Sequence, residues 1–278
     1  MKEYGLLGYP LGHSFSRAFF LEKFAREGID ADYLNFEVPS AEMLQQVIQE
    51  HPNLQGLNVT IPHKKAVIPL LDELSDEARA IGAVNVIRIT REPVDCVPGS
   101  SSVESPRHYL KGFNSDIIGF MESIRPLLQP YHRRALVLGT GGASKAICRG
   151  LEKLGLEWRY VSRQRQLSPG SERPSGTVLG GVFAESPITY SDVTPSLLAE
   201  YTVIVNCTPL GMHPNVDTAP PLPYAALSPR HLLYDLVYNP EVTEFMRQGR
   251  RFGATVKGGL EMLHRQAVAS WEFWNGKD

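Results

Sequence analysis

Short apolar runs alternate with amphipathic stretches along most of the chain, and the two periods fix most of the predicted elements. "YGLLGYP" (4–10) reads as a buried strand closed by a Gly-Pro turn. "SFSRAFFLEKFAREGI" follows as an amphipathic helix with Phe15, Phe19 and Phe24 near helical spacing. "ADYLNFEV" alternates as a strand, and "SAEMLQQVIQEHP" is a helix opened by Ser40 that buries Leu44, Val47 and Ile48. "GLNVTIP" is a third strand: Leu57, Val59 and Ile61 take the core side, and Asn58 and Thr60 line a polar surface. "HKKAVIPLLDEL" is predicted helical, with Pro62 in its first turn. "EARAIGAVNVIRIT" gives a short helix and another strand.

A second alternating region begins after "GFNSDIIGFMESIRPLL", whose helix near Asp116–Leu128 links the halves. "RRALVLGTGGASKAICRGLEKLG" is strand, glycine turn and helix; "WRYVSR", "YTVIVNCTPLGM", "HLLYDLVYNP" and "ATVKGG" supply further strands. "LEMLHRQAVASWEFW" closes the chain as a helix with Leu260, Leu263, Ala267 and Trp271 on one stripe. Residues 91–109 are rich in Pro, Ser and charge and read as a surface loop or an extended hairpin; residues 164–187 are rich in Pro, Ser and Gly and match no element. Strand and helix alternation of this kind predicts an α/β fold with mostly parallel, helix-covered sheets. The expected division is a first domain over 1–117, with 259–278 packing back on it, and a second over 118–258.

Composition narrows the function. The chain has 278 residues, 42% of them hydrophobic, enough for two cores and too many for disorder. Its 28 basic and 30 acidic residues leave a net charge of −2, which argues against nucleic acid or an anionic membrane as partner. Cys96, Cys148 and Cys207 form no CxxC pair, so neither a disulfide framework nor a structural zinc site is expected, and a reducing, cytoplasmic setting is.

The clearest chemistry lies in "ALVLGTGGASKA". A strand delivers its end to Gly139, Thr140, Gly141, Gly142 and Ala143, and a helix starts there, so its first N–H groups and positive end suit a pyrophosphate. Ser144 replaces the third glycine of GxGxxG. An NAD site places Asp or Glu at the end of the next strand; here Ser162 and Arg163 stand there, and Arg163 suits a 2′-phosphate, so the cofactor is read as NADP(H). In the first half, "NVTIPHKK" sets Lys64 on a corner beside Thr60 at a strand's carboxyl end, with Lys65 left to solvent. Ser14 and Ser16 flank a helix start able to grip a carboxylate, Asn85 ends the "IGAVN" turn, and Asp116 opens the linking helix.

GYPLGHSFS, NVTIPHKK, IGAVN, GFNSD, GTGGAS, NCTPLGM, DLVYNP and GGLEMLHRQA occur in the order found in shikimate dehydrogenases, and the resemblance spans nearly the whole chain. It implies an N-terminal substrate domain and a Rossmann-like doubly wound NADP domain. It also implies reversible NADPH-dependent reduction of 3-dehydroshikimate to shikimate in chorismate and aromatic amino acid biosynthesis. By motif, Ser14 and Ser16 would bind the substrate carboxylate, and Thr60, Asn85, Asp116 and Gln266 its hydroxyls, with Tyr238 nearby. Lys64 and Asp116 would form the catalytic pair: an ammonium stabilises the charge that builds on a carbonyl oxygen and supplies the proton. Gly139 to Ala143, Ser162, Arg163, Thr208, Leu236, Gly259 and Asp76 would contact the cofactor. No metal is implied, and the family includes monomers and homodimers.

The pattern departs from the family's at Ser115, where threonine is usual, at Thr140 in the glycine turn, in the longer loop 91–109, and after Arg163. Three alternatives share part of it: a quinate/shikimate dehydrogenase using NAD, a methylenetetrahydrofolate dehydrogenase/cyclohydrolase, and a non-catalytic NADP-binding redox module. The absence of an acidic residue after "YVS", the Ser14/Ser16 pair with Gln266, and the presence of both Lys64 and Asp116 argue against them in turn.

Overall fold

The computed structural model describes residues 1–12, 15–91, 108–163 and 187–278. The chain forms two compact units, one of residues 1–115 and 267–278, the other of residues 116–266. The expected site residue Ser14 and most of the 91–109 and 164–187 segments lie outside the described residues.

The first unit holds β1 (Lys2–Gly8), α1 (Phe15–Glu27), β2 (Ala31–Glu37), α2 (Leu44–Glu50), β3 (Leu54–Val59), β4 (Glu73–Leu74), α3 (Asp76–Ile81), β5 (Val86–Arg91) and β6 (His108–Phe113). Its sheet runs β2-β1-β3-β5-β6-β4. The β1 strand is parallel to β2 and β3, and β5 lies antiparallel between β3 and β6. Because β3 and β6 therefore point the same way, their carboxyl ends and the start of β5 share one edge. One face of the sheet is covered by Leu44, Val47, Ile48, Leu54, Leu57 and Val59 among others. The other packs Tyr4, Phe20, Phe24, Tyr33 and Phe113 with Ala267 and Trp274.

Three local expectations are corrected here. The segment after Pro62 is not an α-helix: residues 61–67 are turns, and Ile68–Leu70 is a single 3₁₀ turn. Pro69 has no N–H to donate, and the stretch is held by single turn bonds, from His63 N–H to the Thr60 carbonyl (2.9 Å), Val67 N–H to the His63 carbonyl (3.1 Å) and Ile68 N–H to the Lys65 carbonyl (3.1 Å). In α1 the buried pair is Phe20 and Phe24, four residues apart, rather than Phe15. Asn58 does not line an open polar surface but is 5% exposed, inside the core.

The second unit holds α4 (Asp116–Ile124), β7 (Arg134–Leu138), α5 (Gly142–Lys153), β8 (Glu157–Ser162), β9 (Ile188–Thr189), α6 (Pro195–Glu200), β10 (Val203–Asn206), β11 (Leu232–Asp235), α7 (Glu244–Arg251) and β12 (Thr255–Lys257). It also takes the start of α8 (Leu260–Trp274), which ends in the first unit. The sheet order is β12-β11-β10-β7-β8-β9 and every pairing is parallel. This is the doubly wound order, with its switch point between β7 and β10. Burial on both faces explains the unbroken apolar runs Ala135–Leu138 and Val203–Val205, all fully buried. The buried stripe of α8 is Met262, Gln266, Ala267, Ser270 and Trp274, not the predicted one, and Leu260 is exposed. Two polar residues on the stripe hid it from a hydrophobicity reading.

Candidate active site

At the shared edge of the first sheet, backbone hydrogen bonds lock the polar residues in place. Val59 N–H donates to the Asn85 carbonyl (2.8 Å), Asn85 N–H to the Phe113 carbonyl (3.0 Å), and Val84 N–H to the Lys64 carbonyl (2.7 Å). Thr60 is held by its N–H to the Leu7 carbonyl (2.9 Å). His63 is buried and its Nε2 donates to the Val38 carbonyl at 2.7 Å, fastening the turn that carries the half-buried Lys64. Lys65 is exposed. Asn85 and Ser115 bond reciprocally: Ser115 N–H donates to Asn85 Oδ1 (2.7 Å), and Asn85 Nδ2 to Ser115 Oγ (3.0 Å). The next residue, Asp116, opens α4 and is buried. The edge thus gathers Thr60, Lys64, Asn85 and Ser115 within one unit.

Behind that edge runs a buried polar chain. Tyr33 is fully buried; its hydroxyl donates to Asn58 Oδ1 (2.8 Å) and accepts from Ser16. Burial pushes this phenol well up, against the Ser16 hydrogen bond. Asn58 Nδ2 donates to Ser270 Oγ (2.9 Å), which lies 3.1 Å from Ser115 Oγ. Ser16, expected to bind the substrate carboxylate, and Asn85, expected to hold a hydroxyl, are therefore joined through Tyr33, Asn58, Ser270 and Ser115. Sequence reading named Asn58 and Ser115 without this link and passed over Tyr33 and Ser270; the one signal was a polar Asn58 between core residues of β3.

In the second unit the glycine turn closes β7 onto α5. Gly139 has φ +92°, and a side chain there would meet the Thr208 methyl at 2.9 Å. A Cβ on Gly141 or Gly142 would meet nothing within 4 Å, and Gly141 offers no side-chain cap to α5. Open space above uncapped first-turn N–H groups fits a pyrophosphate. Ser144, in place of the third glycine, turns its hydroxyl inward to the Gly141 carbonyl at 2.7 Å and leaves that space clear. Ser162 ends β8 half-buried and Arg163 is exposed, beside Tyr190, whose phenol burial pushes up to about 12 against the pull of that guanidinium.

The remaining expected residues divide between the units. Thr208 follows β10, Leu236 follows β11, and Gly259 N–H donates to the Val237 carbonyl at 3.1 Å, with the Leu236 carbonyl against its Cα. These three share the edge of the glycine turn, since all strands of this sheet are parallel. Tyr238 is 42% exposed, and Gln266 is buried with its Nε2 on the Leu263 carbonyl (3.0 Å). Asp76 sits in the first turn of α3, capped by Ser75, in the first unit. Among the described residues no cluster of His, Cys, Asp and Glu could hold a metal, and no helix is long and apolar enough to cross a membrane.

Residues 6–87 match the family model of the shikimate dehydrogenase substrate binding domain. The segment includes Ser16, Thr60, Lys64 and Asn85. A shikimate dehydrogenase (NADP(+)) of Desulforamulus reducens is 34% identical over 98% of this chain and 89% of its own length. The chain belongs to the shikimate dehydrogenase family. Among solved structures, the family's shikimate 5-dehydrogenase from Listeria monocytogenes, in complex with shikimate and NAD, aligns at TM-score 0.82 and 26% identity, covering 100% of this chain and 92% of that one. A 5-ketofructose reductase of Gluconobacter sp. strain CHM43 aligns at TM-score 0.78 and 27% identity, covering 99% and 93%. The fold is thus common to shikimate dehydrogenases and to a reductase named for another substrate.

Proposed function

We propose that this chain catalyses the reversible NADP-dependent reduction of 3-dehydroshikimate to shikimate. The observation that carries the reading is the edge of the first sheet, where Thr60, Lys64, Asn85 and Ser115 are fixed together by backbone and side-chain hydrogen bonds. Family membership and a dinucleotide cradle whose following strand ends in Ser162 and Arg163 instead of a carboxylate support it further.

In this reading the first unit is the substrate domain and the second the NADP domain. Ser14 and Ser16 bind the substrate carboxylate. Thr60, Asn85, Asp116 and Gln266 hold its hydroxyls, with Tyr238 beside them. The turn from Gly139 to Ala143 cradles the pyrophosphate, Ser162 and Arg163 take the 2′-phosphate end, and Thr208, Leu236 and Gly259 border the nicotinamide end, with Asp76 a further contact. Bound NADPH supplies a hydride for the carbonyl carbon. Lys64 stabilises the charge arising on the carbonyl oxygen and delivers the proton; in reverse it accepts the alcohol proton. Asp116 is its carboxylate partner. The partners are small molecules, in the cytoplasm, rather than nucleic acid or membrane, consistent with the near-neutral charge.

The test follows NADP+ reduction with shikimate, with quinate and, in the opposite direction, NADPH oxidation with 5-ketofructose, each repeated with NAD(H). Turnover is expected with shikimate and NADP+, and Lys64→Ala is expected to lower kcat by roughly a hundred- to ten-thousand-fold. Absence of turnover with shikimate overturns the reading; full activity of the variant removes Lys64 from proton transfer.

A further inference from the structure

Asp235 is a fully buried carboxylate that the steps above do not use. It ends β11 and is the in-register neighbour of Asn206, which ends β10 and is equally buried. Strand β10 borders β7, so Asn206 lies at the switch point of the sheet order and Asp235 one strand further out. Among the described residues none of the hydrogen bonds to Asp235 comes from a cation: Oδ1 accepts from Asn206 Nδ2 (2.9 Å) and Val237 N–H (3.0 Å), and Oδ2 from the Thr243 hydroxyl (2.6 Å).

A carboxylate only accepts hydrogen bonds, whereas an amide presents a donor on one side and an acceptor on the other. Asp235 therefore holds the Asn206 amide with Nδ2 toward it, the orientation in which Nδ2 also reaches the Leu210 carbonyl (3.4 Å). With Nδ2 turned to Asp235, Oδ1 faces the following loop, where it accepts from Thr208 N–H (3.0 Å) and Thr208 Oγ1 (2.6 Å). The Thr208 methyl in turn borders Gly139. On its other side the same carboxylate holds Val237 N–H, setting the turn that carries Leu236, whose carbonyl lies against Gly259. A buried carboxylate without a counter-charge is an expensive way to stabilise a core. What it secures is an acceptor for all three donors at once: an isosteric amide keeps one for Asn206 Nδ2 and Val237 N–H but turns an NH2 donor onto the Thr243 hydroxyl, which then loses its acceptor.

We propose that Asp235 is the positioning residue of the nicotinamide end of the cofactor site, holding the loops after β10 and β11 in one fixed arrangement. The proposal rests on the dehydrogenase reading above.

It is tested on the full chain with Asp235→Asn, by calorimetric titration with NADP+ and with 2′,5′-ADP, which carries the adenosine and 2′-phosphate but no nicotinamide. NADP+ affinity is expected to fall roughly ten- to a hundred-fold, the range for a hydrogen bond to a charged group. Binding of 2′,5′-ADP is expected to be unchanged, and so is the KM for shikimate. Parallel loss of both ligands would make Asp235 merely structural and overturn the proposal, as would unchanged NADP+ binding. Should that variant not fold, Thr243→Val removes the Oδ2 donor, together with the N-cap of α7; the same split between the two ligands is expected, and its absence overturns the proposal. Wild-type protein that binds neither ligand overturns instead the reading on which this rests.

Discussion

Replacing Tyr33 by Phe removes one oxygen from the centre of the first unit and nothing else. The ring stays stacked on Phe20, with centroids 4.9 Å apart and planes at 9°, so the apolar contribution is retained. What disappears is the donor to Asn58 Oδ1 at 2.8 Å and the acceptor for Ser16. Asn58 remains pinned by its Nδ2 on Ser270, so its amide cannot turn to find water. A buried acceptor left without its donor costs about 1–3 kcal/mol. With a urea dependence of about 1–3 kcal/mol per molar, the unfolding midpoint should fall by on the order of one molar. Tryptophan fluorescence reports the event: Trp274 lies 6.4 Å from the Tyr33 ring and Trp271 packs on Tyr4, in the same unit. The decisive form is a double-mutant cycle, in which Asn58→Leu should cost less by about 1 kcal/mol in the Tyr33→Phe background than in wild type. An unchanged midpoint, or strictly additive losses, would refute the buried chain as a coupled unit.

Two further outcomes follow from the second unit. Arg163→Glu should raise the KM for NADP+ roughly tenfold or more and spare NAD+, which has no 2′-phosphate; equal losses for both would remove Arg163 from cofactor selection. Burial pushes the Asp235 carboxyl up from 3.8 to about 6, against hydrogen bonds from Thr243, Val237 and Asn206. The folded state then holds a proton that the unfolded chain releases. This group's stabilisation is complete below the unfolded value and is lost as pH rises through the folded one, a change of about 3 kcal/mol. Asp235→Asn lacks it, so the stability of wild type relative to the variant should rise from pH 7 toward pH 4 in urea titrations, and a difference independent of pH would refute the assignment.

The second sheet was legible because parallel strands buried on both faces are written as plain apolar runs, and because a strand, a glycine turn and a helix in succession have one common reading. The first sheet was legible as strands but less so in its connections. Residues 62–70 read as a helix, yet Pro69 has no N–H to carry a ladder on and the segment closes as turns. Asn58, Ser270 and Gln266 broke the hydrophobic pattern of their elements because each is buried through hydrogen bonds, and a polar letter says nothing about its partner. The chain Ser16–Tyr33–Asn58–Ser270–Ser115–Asn85 joins segments up to 254 positions apart, a span over which single-sequence periodicity carries no information. Asp235 stood in a motif, but its register against Asn206 appears only when β10 and β11 are paired.

The antiparallel setting of β5 has a consequence for how the chain tolerates change. Strands β5 and β6 are locked by six residue pairs, from Val86 with Phe113 to Arg91 with His108. Asn85 and Ser115 lie beyond the first of these pairs, while the long connection of residues 92–107 attaches beyond the last, at the opposite edge of the sheet. Added or deleted residues in that connection enter where six rungs of the ladder separate them from Asn85. The register that sets Asn85 against Ser115 is therefore held by the six pairs of the ladder whatever the length of that connection.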